Sequence, residues 1–325
     1  MSETGLFVIV NHTAARARAS WPRIREALLR AGVAFESHES TRQGETEQFT
    51  RTALERGCAT VAAIGGDGTL SAAANGFFEP CAGLDERALP RAVNPAAVLA
   101  LLPAGTGDDF ARGLSGGRRE PLEAWVARLV GHCRGDETFK RVDVLLGSVD
   151  GGAHRFICLN AATLGIGAEV TARVAAQGTT VRRLPGEARF ALAALPRLAA
   201  WYNRRVRVTT DGRSWEECGT NMLAVVNGAY AGGGMNLSPG ASLSDGLLDV
   251  LIVCDITRLA LLRELARVHN GGHINNPRVK LTRATHVRIE TLDDAERLGV
   301  EADGDVRGHT PAEFRVMPSA LNVLF

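Results

Sequence analysis

The chain has 325 residues, 37 of them basic and 36 acidic, for a net charge of +1, so global charge names no partner and gives no footing for nucleic acid. The length suits two domains with sizeable cores. Only Lys140 and Lys280 are lysines and neither follows a glycine loop, which excludes a Walker-type phosphate lysine and leaves phosphate neutralisation to backbone, arginine or metal.

In chain order, residues 6–10 read as a strand and 21–31 as an amphipathic helix stopped by Gly32. Residues 35–39 are extended, and 45–56 form a helix stopped by Gly57. The apolar run 59–64 is a buried strand that ends in Gly65-Gly66-Asp67-Gly68-Thr69, and Leu70, Ser71 and the residues to Gly76 have helical composition. Residues 79–95, with prolines and mixed charges, read as a surface insertion. A second apolar strand, 97–103, runs into Gly105-Thr106-Gly107, with Asp108 or Asp109 at the start of another helix. Residues 121–130 form the last helix of this part. The βαβα order predicts a parallel sheet with helices on both faces. From residue 142 strands dominate, at 142–146, 155–160, 206–210, 222–227, 248–253, 287–290 and 314–317, and helices become sparse. That pattern predicts an all-β sandwich.

A strand, a glycine turn and a helix start together make an anion site. Backbone N–H groups point outward, and the helix dipole favours negative charge. Glycines let the backbone approach a phosphate without Cβ obstruction. Asp67 sits in that turn, where it can act on a metal or a water beside phosphates. A tight turn whose Asp caps the next helix is the plainer reading of one such motif. Two of them at the ends of consecutive strands lie side by side, where open α/β sheets bind ligands.

Six cysteines show no C-x-x-C spacing and mostly sit in apolar runs, which reads as buried free thiols in a reducing cytoplasm. His269 and His273 are separated by Gly271-Gly272, which argues against a helical metal pair. The opening residues lack the basic start and long apolar run of a leader, and no apolar segment approaches the roughly 20 residues needed to span a bilayer.

The two glycine turns, Gly65-Gly66-Asp67-Gly68-Thr69 and Pro103-Ala104-Gly105-Thr106-Gly107-Asp108-Asp109-Phe110-Ala111, resemble the diacylglycerol kinase catalytic-domain family of bacterial lipid kinases and sphingosine kinases. Pro239-Gly240-Ala241-Ser242-Leu243-Ser244-Asp245-Gly246-Leu247-Leu248-Asp249-Val250 resembles its second-domain motif, Glu301-Ala302-Asp303-Gly304-Asp305 its Asp-Gly-Glu, and Val8-Ile9-Val10-Asn11 its first strand. Asp108 stands where the family usually has Asn, His12 where it has Pro, and Asp305 where it has Glu; the usual glycine after His12 is missing. The resemblance implies an α/β nucleotide-binding domain over residues 1–140, to which 318–325 return, and a β-sandwich lipid-substrate domain over 141–317. It implies a lipid kinase that transfers the γ-phosphoryl group of ATP to a hydroxyl of a diacylglycerol-like or sphingoid lipid.

On that reading ATP lies across Gly65, Gly66, Gly68, Thr69, Leu70 and Ser71, with Gly105, Thr106, Asp109, Asn11 and Thr41 completing its contacts. Asp67 holds Mg²⁺ or a bridging water. Asp303 and Asp305 face the nucleotide from the second domain and supply the base, unless their turn is only a hairpin. Asp245, with the carbonyls of Ser242 and Leu247, binds a structural Mg²⁺, unless that too is only a turn. The lipid is met by a cytoplasmic enzyme visiting the membrane. Residues 173–207, with eight arginines and one acid among apolar residues, are either a helix on an anionic surface or an ordinary core-packing helix with a solvated face. A homodimer is left open, and no nucleic-acid partner is expected. The rival readings are a NAD kinase-like enzyme and a catalytically inactive nucleotide- or lipid-binding regulator.

Overall fold

The structure, a computed structural model, describes residues 5–81, 88–136, 139–176 and 202–325, which fall into two units. One comprises Met1–Val144 with Met317–Phe325, the other Leu145–Val316.

The first unit runs β1 (Leu6–Asn11), α1 (Ala15–Arg30), β2 (Phe35–Ser40), α2 (Glu45–Glu55), β3 (Thr60–Gly65), α3 (Asp67–Gly76), β4 (Val98–Pro103), α4 (Asp109–Leu114) and α5 (Leu122–Cys133). The strands are parallel in the order β2-β1-β3-β4. β1, β3 and β4 are almost wholly buried, as near-continuous apolar runs must be when helices cover both faces of a sheet. β2 is polar and partly exposed, which suits an edge. α1 starts six residues earlier than its sequence suggests. Its stripe of Ala17, Trp21, Ile24 and Leu28 stays buried straight through Pro22, whose ring lies on the solvent side. Asn322, Val323 and Leu324 extend this sheet, pairing parallel with Val98, Leu99 and Ala100.

The second unit is β-rich. It takes in the end of β5 (Phe139–Val149), then β6 (His154–Cys158), β7 (Ala161–Gly165), α6 (Ile166–Ala175), β8 (Arg204–Thr210), β9 (Arg213–Thr220), β10 (Met222–Val226), the short pair β11 (Tyr230–Ala231) and β12 (Met235–Asn236), and β13 (Leu248–Val253). There follow α7 (Arg258–Arg267), β14 (Val279–Ala284), β15 (His286–Thr291), β16 (Gly299–Ala302), β17 (Asp305–His309) and the start of β18 (Ala312–Leu324). One sheet runs β14-β13-β10-β7-β16-β17, antiparallel throughout. β9, β8, β15 and β18 form antiparallel pairs of the other. Side chains from both, such as Val206, Ile289 and Phe314 with Val225, Val250 and Val300, fill one core between them.

Two helices flank the sandwich. The other face of the six-stranded sheet packs Val226, Leu251 and Val253 against Ile166 of α6 and Leu261 of α7. Most of the basic segment lies outside the described residues. Its described end, from Arg204, is strand β8, where Arg204 pairs with Glu169, and Arg205 and Arg207 pair with Glu217. The strand expected at 206–210 lies within β8, which alternates Val206 and Val208 into the core, so the helical reading of the basic segment stops short of it. β9, β14, β16 and β17 escape a sequence reading because their mixed polar residues mask the alternation.

Candidate active site

The two glycine turns of the first unit close the ends of β3 and β4, where Gly65 pairs with Pro103 and Ala104 N–H donates to Gly65 O at 2.8 Å. The reason for glycine is contact. A Cβ on Gly105 would lie 2.6 Å from Gly66 Cα, and one on Gly66 would lie 3.1 Å from Gly105 Cα, so the turns pack backbone to backbone. A Cβ on Gly65 would strike Thr69 Oγ1 at 2.3 Å. Hydrogen bonding in α3 begins with Thr69 and Leu70 N–H on Gly66 O, so the N–H groups of Asp67 and Gly68 precede any acceptor of the helix. A small pocket opens here, lined in part by Gly65, Gly66, Asp67, Leu70, Pro103 and Asp108.

Asp67 and Asp108 line it, and Asp109 stands beside Asp67. Asp67 Oδ1 accepts from Phe110 N–H at 3.1 Å. Asp67 Oδ2 and Asp109 Oδ2 lie 3.1 and 3.2 Å from where a Cβ on Gly107 would stand, so the two carboxylates converge over a position that must stay bare. Burial, with the Asp109 charge second, pushes Asp67 up to about 7. Asp108 adopts the left-handed conformation at φ 50° and accepts Gly105 N–H at 2.8 Å, closing the turn as an Asn would. Burial raises its carboxyl as well.

Asn11 survives its altered surroundings as an organiser. Its Oδ1 accepts from Thr13 N–H, Thr13 Oγ1 and Ala14 N–H at the start of α1, and its Nδ2 donates to Thr69 Oγ1 at 2.9 Å. Thr69 and Ser71 are buried, at 7% and 2% exposure, so they support the turn from beneath, whereas Thr106 is exposed at its surface. Thr41 N–H donates to Glu45 Oε2 at 2.7 Å before α2, and its side chain is exposed. Two arginines unmarked by any motif stand on the second turn. Arg16 donates to Gly105 O at 2.7 Å, and Arg119 donates to Thr106 O and Gly107 O.

In the second unit, Asp303 and Gly304 are the two turn residues between β16 and β17, with Ala302 opposite Asp305. Both have positive φ, 50° and 93°, as a two-residue Asp-Gly hairpin needs. The turn is a hairpin, but Asp303 is more than a turn former. Its buried carboxylate accepts Leu159 N–H at 2.7 Å, Asn160 N–H at 3.0 Å and Ala161 N–H at 3.3 Å, with the Cys158 thiol at 3.3 Å. Three backbone N–H groups hold this carboxylate in a structural role. Asp305 is open, with its side chain 53% exposed and Arg307 Nη2 at 3.5 Å. Glu301, passed over in the sequence reading, accepts Thr163 Oγ1 at 2.6 Å and Gly304 N–H at 2.5 Å, and burial pushes its carboxyl up to about 7. From β16 it braces the hairpin against Thr163 of β7.

Asp245 lies in a turn with Gly246 at φ 74°. Its Oδ1 accepts Leu247 N–H at 3.1 Å, and Ser242 Oγ accepts Ser244 N–H at 3.4 Å. Asp245 Oδ2 faces Arg283 Nη1 at 3.9 Å, while the same guanidinium bonds Asp249 at 2.9 Å. The oxygen donors suit Mg²⁺, and Arg283 competes for the carboxylate.

The sequence matches two family models, one over each half of the chain. Residues 5–140 match the diacylglycerol kinase catalytic domain, and residues 163–325 match the YegS C-terminal NAD kinase beta sandwich-like domain. A "Probable lipid kinase YegS-like" of Pseudomonas aeruginosa (strain UCBPP-PA14) is 34% identical over 86% of this chain and 81% of its own length. The chain belongs to the diacylglycerol kinase catalytic-domain family. A diacylglycerol kinase of Bacillus subtilis (strain 168) in that family is 27% identical over 94% of the chain and 91% of its own length. Among solved structures, a diacylglycerol kinase from Bacillus anthracis str. Sterne shares the fold at a TM-score of 0.67 and 19% identity, covering 98% of this chain and 96% of that one. An NAD kinase from Archaeoglobus fulgidus in complex with ATP reaches 0.51 at 14% identity, over 98% and 92%. The family's lipid-kinase members thus match along nearly the whole chain, and the NAD kinase likeness is one of fold.

Proposed function

We propose that this family member is an ATP-dependent lipid kinase acting on a hydroxyl of a diacylglycerol-like or sphingoid lipid. The observation that carries the reading is the pair of glycine turns in backbone contact, with the Asp67 and Asp109 carboxylates converging beside them. Free N–H groups at the start of α3 suit phosphate oxygens, and Arg16 and Arg119 suit the remaining charge. Asp67 and Asp109 would hold Mg²⁺ with the nucleotide; a bound Mg²⁺ neutralises charge that builds on the transferring phosphoryl group.

The proton of the lipid hydroxyl goes to a carboxylate as its oxygen bonds the γ-phosphorus, the bond to the bridging oxygen breaks, and ADP leaves. Asp305 is the better base, since it is open where Asp303 is buried and held by three backbone N–H groups. Asp303 and Glu301 set the hairpin that presents it. A structural Mg²⁺ at Asp245 is part of the same proposal; Asp245→Ala should blunt the thermal stabilisation by added Mg²⁺, and equal stabilisation of both proteins counts against the site.

No helix among the described residues is long and apolar enough to cross a membrane, so the lipid is expected to be met at a membrane surface by a peripheral enzyme. The deciding experiment is transfer of label from γ-labelled ATP to extracted lipids, with NAD as a parallel acceptor. Labelled lipid supports the reading; labelled NAD alone, or no product from either, overturns it.

A further inference from the structure

Two cysteines that belong to no motif meet between the sheets of the second unit. β9 carries Glu216 and Cys218 two residues apart, and Cys254 directly follows β13 of the opposite sheet. Asp255 N–H donates to Gly219 O at 2.7 Å and Asp255 Oδ1 accepts Gly219 N–H at 3.2 Å, which pins Cys254 beside β9. One carboxylate oxygen of Glu216 and the two Sγ atoms all lie within 4.8 Å of one another. Cys218 and Cys254 are 4% and 5% exposed. Glu216 reaches the edge of the cluster, where Lys280 Nζ stands 2.5 Å from its Oε2.

We propose that Glu216, Cys218 and Cys254 form a structural site for a thiophilic divalent cation, Zn²⁺ by its chemistry, that clips the two sheets of the sandwich together. Two sulfurs and one carboxylate oxygen are a soft donor set, which Mg²⁺ and Ca²⁺ do not take and Zn²⁺ does. Bonds of about 2.3 Å to sulfur and about 2.0–2.2 Å to oxygen in a tetrahedron place donor atoms inside that 4.8 Å limit, within reach of small side-chain rotations. Binding sends both thiol protons to solvent. The two thiolates, the carboxylate and the dication then carry one net negative charge, which the adjacent Lys280 ammonium answers. Water at the exposed edge completes the tetrahedron. The thiols hold neighbouring strands of different sheets, so the ion acts as a cross-link on the fold. The site owes nothing to the phosphoryl-transfer reading.

The test uses the full-length protein, reduced and stripped of metal by a chelator that is then removed, in buffer containing Mg²⁺. Added Co²⁺ should develop thiolate-to-cobalt charge-transfer absorption that saturates at one ion per chain, Zn²⁺ should abolish it, and Zn²⁺ should raise the melting temperature. Cys218→Ser with Cys254→Ser should lose the absorption while the other four cysteines remain. Glu216→Gln lies at the edge and keeps both thiols in place, so it should fold and bind Zn²⁺ at least tenfold more weakly. Three results overturn the proposal: no charge-transfer band on the wild type, a band that persists in the double serine variant, or thiol titration showing that the stripped wild type forms a Cys218–Cys254 disulfide that Zn²⁺ does not prevent.

Discussion

Asp67 is the residue whose environment makes the sharpest prediction. Its carboxyl is pushed up to about 7 by burial, against about 4 for an unfolded chain. A raised acid binds its proton more tightly in the folded protein, so folding gains most at low pH. That contribution is complete below about pH 4 and is lost as pH rises through about 7. Glu301 acts in the same direction over the same range. The nucleotide-free protein should therefore melt at a lower temperature at pH 8 than at pH 5.5, and Asp67→Asn should flatten that slope. An unchanged slope in the variant, followed by calorimetry, removes Asp67 from the account. The two aspartates of the hairpin should separate in the opposite way. Asp303→Asn places an amide among three backbone N–H donors, and it should cost about 2 kcal/mol or more of stability. Asp305→Asn should leave the melting temperature alone and lower kcat by about 10²–10⁴-fold with ATP affinity intact. Near-normal turnover by Asp305→Asn would refute its role as the base.

At the scale of elements, close backbone contact shapes the two glycine turns. Glycine beside a phosphate and glycine beside another backbone look identical in sequence, and the structure shows the second at Gly66 and Gly105. Gly105→Ala should thus force the turns apart, since its Cβ would stand 2.6 Å from Gly66 Cα, and ATP binding should weaken at least tenfold while most of the fold melts normally. Gly66→Ala, with its closest contact at 3.1 Å, should be milder. Equal ATP affinity for Gly105→Ala and wild type, measured by calorimetry, would show that this contact does not shape the site. The turns themselves were legible because an apolar strand, a glycine run and a helix start leave a local pattern. Partners fixed by distant strands were not. Glu301 reaches Thr163 from 138 residues away, Asp303 takes backbone N–H groups 142 to 144 residues earlier, and Arg16 meets Gly105 across 89. No spacing rule encodes such contacts. Strand β9 was missed for another reason: Trp215-Glu216-Glu217-Cys218 hides its alternation behind charges that pair with β8 and Lys280.

At the scale of the whole molecule, the first unit is discontinuous, built from the start of the chain and its last nine residues. Asn322, Val323 and Leu324 occupy a strand position beside β4, the strand that ends in the second glycine turn. Leu321, Val323 and Leu324 are at most 3% exposed, and Asn322 Nδ2 donates to Pro95 O and Ala97 O at 3.1 Å, holding the approach to β4. Burying each such aliphatic side chain is worth about 1.5–3 kcal/mol. Three of them approach the 5–15 kcal/mol that separates a folded domain from an unfolded one. Removing residues 317–325 should therefore abolish ATP binding, although the cut lies more than 200 residues from either glycine turn in sequence. The buried edge of β4 would be bared, and the shortened chain should aggregate through it. Val323→Ala is the gentler form of the same experiment. It should lower the melting temperature of the first unit and leave ATP affinity unchanged below that transition, because the strand supports the site without touching it. A shortened chain that binds ATP as the full chain does would mean that β1, β2, β3 and β4 hold the nucleotide site unaided, and that the last strand is an ornament of the sheet.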